Sequence, residues 1–136
     1  MSEMKNITKV KIYYKDTDAE GVVYYANYLG FLEMGRMELI EQLGISQNDL
    51  KEKTGIVFAI SEVNCKYLAP AFLGDKLVIE TSIKEMTAAT IVFLQEIIRE
   101  KDLARVISAT VTAFAMDLKK MKPAKIPIEF RERFEG

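Results

Sequence analysis

The chain has 136 residues, of which 49 % are apolar, and carries a formal net charge of −1. That length suits one domain with one core, residues 1–136, and apolar residues spread along all of it exclude a disordered chain. The near-neutral balance leaves no basic footprint for a nucleic acid, and the absence of histidine removes Ser–His and Cys–His nucleophiles, helical His zinc motifs and any imidazole base.

The opening residues, MSEMKNITKV, lack the apolar region of a secretory signal. The longest apolar stretch, residues 106–116, is broken by Ser108, Thr110 and Thr112 and falls short of the roughly 20 residues of a membrane span. A lone cysteine, Cys65, forbids an intramolecular disulfide. The expectation is a cytoplasmic chain with no membrane partner and no metal.

A first strand is expected over residues 8–14, with Val10, Ile12 and Tyr14 on one face. A polar turn, Lys15-Asp16-Thr17-Asp18-Ala19-Glu20-Gly21, follows it. The spacing then predicts a long helix over residues 27–43, closed by Gly44 at C′. Its apolar residues cover most of the circumference, which predicts a helix wrapped by protein. Gly30 and Gly35 inside it each cost roughly 1 kcal/mol relative to Ala. Close approach of a sheet or another helix would compensate both. A short amphipathic helix is expected over residues 46–53.

From Val57 the alternate residues Val57, Ala59, Ser61, Val63, Cys65, Tyr67 and Ala69 read as one inward face of a strand. After a turn at Pro70 to Gly74, strands are expected at residues 76–85, 90–99 and 104–116, with a hairpin loop at Arg99-Glu100-Lys101-Asp102. The run Ile91-Val92-Phe93-Leu94 is apolar on both faces, so its outer face needs cover from another subunit. Pro127 opens a last helix, residues 128–134. The class is therefore α+β: a long antiparallel sheet wrapped around one long central helix.

The densest polar cluster is Asp16, Thr17, Asp18 and Glu20. On its own it reads as a solvated turn whose acids favour the positive end of the next helix. Two features point to chemistry. The acids run directly into an apolar, aromatic stretch, and a helix N-terminus offers unpaired N–H groups that can hold an oxyanion. A carboxylate beside them could attack a thioester or activate water.

The run from Tyr14 to Tyr28, Tyr-Lys-Asp-Thr-Asp-Ala-Glu-Gly-Val-Val-Tyr-Tyr-Ala-Asn-Tyr, resembles the signature of the 4-hydroxybenzoyl-CoA thioesterase family, the hot-dog-fold acyl-CoA thioesterases. Phe31-Leu32-Glu33-Met34-Gly35-Arg36 resembles that family's helix, and Lys66-Tyr67-Leu68-Ala69-Pro70-Ala71 with Gly74-Asp75 its first long strand and turn. The resemblance implies hydrolysis of small acyl-CoA thioesters to free acid and CoA. Asp18 would be the catalytic carboxylate, as nucleophile or as base for water, and the backbone N–H of Tyr25 would hold the thioester oxygen. It implies substrate contacts at Tyr25, Val23 and Asn27, coenzyme A as part of the substrate and no further cofactor, and a homo-oligomer, dimer or tetramer, with active sites at the dimer interface. Many relatives carry His where this chain has Tyr25, so a His-assisted step is impossible here.

Asp16 reads as a structural turn residue, Asn27 as an N-cap or turn residue, Glu33 and Arg36 as a helix pair, and Cys65, Tyr24 and Tyr28 as packing residues. Lys119, Lys120 and Lys122 read as a solvated basic turn; the functional alternative is that Lys119 and Lys120 contact the CoA phosphates. Competing functions are an acyl-carrier-protein thioesterase and a non-enzymatic acyl-CoA-binding module of the same fold. A hydratase would need the missing histidine.

Overall fold

The computed structural model describes residues 4–135. Chain order is β1 (Lys5–Lys11), a 3-10 turn (Tyr14–Asp16), α1 (Asn27–Gln42), α2 (Gln47–Thr54), β2 (Ile56–Tyr67), β3 (Lys76–Met86), β4 (Thr90–Arg99), β5 (Arg105–Asp117), β6 (Lys122–Pro123) and α3 (Ile128–Glu135). The strands form one antiparallel sheet in the order β1-β3-β4-β5-β2, with the short β6 pairing the end of β5. Among the described residues no helix is long and apolar enough to cross a membrane.

Alternation sets the inner face of the sheet. Leu77 and Ile79 of β3, Ile91, Phe93 and Ile97 of β4, and Ile107, Val111 and Ala115 of β5 are buried. Each large aliphatic side chain among them contributes about 1.5–3 kcal/mol on burial. α1 lies across this face and buries Tyr28, Phe31, Leu32, Gly35, Leu39 and Ile40.

Gly35 is where helix and sheet come closest. A Cβ there would stand 2.8 Å from Ile79 Cγ2 and 3.0 Å from Gln95 Nε2, with Thr81 Oγ1 closer still. The glycine expectation therefore holds at Gly35, but a Cβ at Gly30 would meet nothing within 4 Å. Beneath Gly35 lies a buried polar centre: Gln95 Nε2 donates to Leu32 O and to Thr81 Oγ1, each at 2.9 Å, and Gln95 Oε1 accepts from Arg36 Nη1 at 3.1 Å. Gly35→Ala gains roughly 1 kcal/mol of helix propensity but overpacks the contact by ~1–3 kcal/mol. A net loss of up to about 2 kcal/mol in urea unfolding is expected, and a stabilised variant would contradict this packing.

Four expectations are corrected. The first strand is Lys5–Lys11, not residues 8–14. Asp16 Oδ2 accepts the backbone N–H of Tyr13 at 2.9 Å, which bends the chain early and leaves Tyr14 81 % exposed. α1 is not wrapped on all sides: Leu29, Met34 and Met37 are exposed in the single chain. The inward face of β2 changes phase, because a bulge lies between Ile60 and Glu62. Ile56, Phe58 and Ile60 share one side with Val63, Cys65 and Tyr67, since one unpaired residue, Ser61, resets the period-2 alternation. Finally, Arg36 bonds Gln95 rather than forming an ion pair with Glu33.

The ends of the helices follow their capping chemistry. Gly44 takes φ 81° after α1, as expected at C′. Ser46 Oγ caps α2 by accepting from Asp49 N at 3.2 Å. Arg133 of α3 donates from Nη1 to Leu43 O at 3.1 Å, satisfying a carbonyl at the C-terminal end of α1.

Candidate active site

The acidic turn is folded by its own side chains. Asp16 is buried; besides accepting from Tyr13 N, it pairs through Oδ1 with Lys15 Nζ at 3.0 Å. Its carbonyl accepts from Tyr24 N at 3.0 Å and from Asn27 Nδ2 at 2.8 Å. Asp16 thus ties the turn to the start of α1. Asp18 is the exposed acid: its Oδ1 accepts from Glu20 N at 2.8 Å, and its Oδ2 takes no hydrogen bond from the described residues. Gly21, at φ 81°, permits the reversal that returns Val22 O to Asp18 N at 2.9 Å.

The residues after the turn form a strap against the β2–β3 loop. Thr17 bridges Val23, Val22 bridges Phe72, and Val23 N donates to Ala71 O at 2.9 Å. Val23 itself is buried, so it meets the site through its backbone.

α1 begins without a side-chain cap. Its N-cap is Ala26 rather than Asn27, which is the first helical residue. The backbone N–H groups of Tyr25 and Ala26 have no backbone acceptor among the described residues. Asn27 N donates to Tyr24 O at 2.9 Å, which turns that carbonyl toward the helix. In a planar trans peptide the N–H of Tyr25 then points the opposite way, off the helix end. Tyr67 Oη donates to Tyr25 O at 3.3 Å and steadies the next peptide, the one carrying Ala26 N–H. Two peptide donors at the positive end of a helix suit a developing oxyanion.

Aromatic rings enclose this end. Tyr24 and Tyr25 lie 4.9 Å apart, Tyr25 and Tyr67 6.3 Å, and Tyr28 and Tyr67 5.8 Å. Burial pushes the Tyr28 hydroxyl above its ordinary pKa, so it stays protonated. The hydrogen bond between the Tyr24 and Tyr25 side chains likewise raises that of Tyr24. Burial raises the Cys65 thiol, which makes it a poor nucleophile.

Leu29 and Met37 on α1 and Ile60 and Val63 on β2 are exposed. A cavity of about 140 Å³ between the two elements is lined by Glu33, Arg36, Ile40, Phe58, Ile60 and Phe93, among others. A larger hollow of about 640 Å³ lies at the other end of α1, around Glu41 to Asn48, remote from the acids.

Asp18, Tyr25 and Asn27 are thus brought to one end of α1, and Lys119 and Lys120 are not. Their backbone N–H groups bond Asp117 Oδ1, at 2.9 and 3.2 Å. Asp117 pairs with Ile56, whereas Tyr67, at the opposite end of β2, touches Tyr25. The length of β2 puts the lysine turn roughly 35 Å from the site within one chain. The sequence reading missed the Ala71 carbonyl and the Tyr67 hydroxyl as anchors; only the short match at Tyr67-Leu68-Ala69-Pro70-Ala71 pointed there.

Comparison with known proteins follows this geometry. Residues 13–134 match the model of the thioesterase-like superfamily. The chain is 39 % identical over 125 residues to the acyl-CoA thioesterase YbgC of Haemophilus influenzae, covering 92 % of this chain and 90 % of that one. It is 35 % identical over 131 residues to the acyl-CoA thioesterase YbgC of Helicobacter pylori, covering 91 % and 96 %. A DHNA-CoA thioesterase from Staphylococcus aureus superposes with a TM-score of 0.89 at 25 % identity, over 96 % of this chain and 89 % of that one.

Proposed function

The chain belongs to the thioesterase-like superfamily, and from that membership we propose that it hydrolyses acyl-CoA thioesters to free acid and coenzyme A. The observation that carries the catalytic assignment is the pairing of an exposed carboxylate, Asp18, with an uncapped helix start whose Tyr25 and Ala26 N–H groups lack backbone acceptors.

The thioester oxygen would lie against the N–H of Tyr25, which withdraws charge from the carbonyl carbon and stabilises the tetrahedral oxyanion. Asp18 then acts in one of two ways. As nucleophile, its free oxygen bonds the carbonyl carbon, the C–S bond breaks, and CoA thiolate leaves and takes a proton. Water then cleaves the resulting anhydride and restores the carboxylate. As base, Asp18 removes a proton from a water that attacks the same carbon; the C–S bond then breaks and the departing CoA thiolate takes that proton back from Asp18. Both routes place the carboxylate on one side of the carbonyl and the helix end on the other. The exposed apolar side chains of Leu29 on α1 and Val63 on β2 offer an apolar bed for the acyl group.

The assembly is part of this proposal. β2 is the terminal strand of the sheet, 12 residues long, and Ile60, Val63 and Tyr67 are exposed along it. A bare edge of that length invites a second copy. Antiparallel pairing of two β2 edges would bring the lysine turn of the second copy toward the Tyr25 end, an arrangement in which Lys119 and Lys120 could meet CoA phosphates. Sedimentation at micromolar concentration is expected to give a dimer or larger; a monomer at every concentration would refute an interface-built site.

The function itself is tested by thiol release from a panel of acyl-CoAs of varied length and aromatic content. Turnover on at least one is expected, and none on any would sink the reading. The same acids carried on acyl-carrier protein test the competing leaving group.

A further inference from the structure

We infer that Arg99 is a positioning residue for the Asp18 site, acting through the β2–β3 loop; the inference rests on the thioesterase reading. Arg99 ends β4, and its side chain is only 15 % exposed. Nη1 donates to Pro70 O at 2.6 Å. The rest of the guanidinium is locked: Nε donates to both oxygens of Asp102 at 3.0 and 3.2 Å, and Nη2 to Oδ2 at 2.8 Å. Holding the Nε–Nη2 edge of a planar guanidinium on Asp102 fixes where Nη1 points, and one of its two N–H groups meets the Pro70 carbonyl.

The residues immediately after Pro70 carry both halves of the site. Ala71 O accepts from Val23 N at 2.9 Å, and Ala71 lies in the same buried cluster as Tyr28, the second residue of α1. Phe72 bridges Val22, and Leu73 N donates to Gly21 O at 3.3 Å. Val22 O in turn accepts from Asp18 N at 2.9 Å. The β4–β5 hairpin grips the same loop a second time through Lys101 and Asp75, 3.3 Å apart, and Asp75 Oδ2 accepts from Phe72 N at 2.9 Å. The loop therefore works with Asp16 to hold the carboxylate turn against the helix end, and Arg99 anchors the loop.

Attack geometry is steep in distance: a shift of about 1 Å can cost on the order of 10²-fold in rate. Arg99→Gln is expected to lower kcat about tenfold, with kcat/KM falling equally and KM unchanged, the pattern of a lost transition-state alignment. Arg99→Lys keeps the charge without the fork and should recover part of the loss. Asp102→Asn unlocks the fork and should lower kcat in the same sense. The double variant should be no worse than Arg99→Gln alone, because both break one clamp. Arg105→Gln, which loses a solvent-facing pair with Glu96, serves as the neutral control.

The proposal is overturned if folded Arg99→Gln keeps wild-type kcat, or if its activity falls only in proportion to the folded fraction and Arg99→Lys recovers nothing. Should Arg99→Gln fail to fold, Asp102→Asn decides by the same kcat criterion. Turnover by the wild type with unaffected clamp variants overturns the clamp alone; a wild type inactive on every thioester overturns the underlying reading as well.

Discussion

Asp18→Ala is expected to leave a folded protein with kcat at least ~10²-fold lower, the scale of a lost catalytic group. The Asn variant is the sharper experiment. Asp18 Oδ1 holds the turn by accepting from Glu20 N at 2.8 Å, and Asn keeps that acceptor while removing the charge. A comparable loss in Asp18→Asn would therefore belong to the carboxylate and not to a relaxed turn. Asp16 gives the opposite contrast: it is buried and accepts from Tyr13 N, so its removal should show first as lost stability. If Asp18→Asn turns over acyl-CoA at the wild-type rate, the assignment fails whatever the fold does.

Phe130→Ala should cost about 3–5 kcal/mol, the largest effect on stability expected of any single change discussed for this chain. The ring is 1 % exposed and sits 4.8 Å from the rings of both Phe58 and Phe134. It shares a core cluster with Leu39, Ile40, Leu43, Leu50 and Ile126, so truncation empties a hole bordered by α1, α2 and β2. A fall of roughly 10–20 °C in Tm follows for a domain of this size. The same loss should loosen α3 and with it the Arg133 bond to Leu43 O. A drop below about 1 kcal/mol would mean that α3 is an appendage rather than part of the core.

What could be read from the sequence was local. The acid turn, the Gly44 stop and the Ser46 start carry their own chemistry, and β4 falls on residues 90–99 as its apolar run between two turns suggests. The larger failures are non-local. Leu29, Met34 and Met37 made α1 read as enclosed, but periodicity counts apolar residues without saying which chain covers them, and in one chain that flank stays open. The polar centre was available as a signal: Gln95 interrupts the inward series Ile91, Phe93, Ile97, and a buried amide at such a position needs partners. No pattern in the sequence announced that the Ala71 carbonyl would hold the strap. Contacts made by main-chain atoms leave no residue type behind to recognise.

The bulge in β2 bears on how this chain can change by insertion and deletion. Ser61 is the one residue of the strand without an opposite number, and Ile60 and Glu62 pair with neighbours on β5. Excising its codon would leave Ile60 and Val63 facing as they do now, with the alternation made regular. Losing a codon elsewhere in either half of the strand would invert the residues between the gap and the bulge. An otherwise frame-sensitive edge strand therefore contains one position where its length is negotiable, and homologous strands that differ by one residue should differ there.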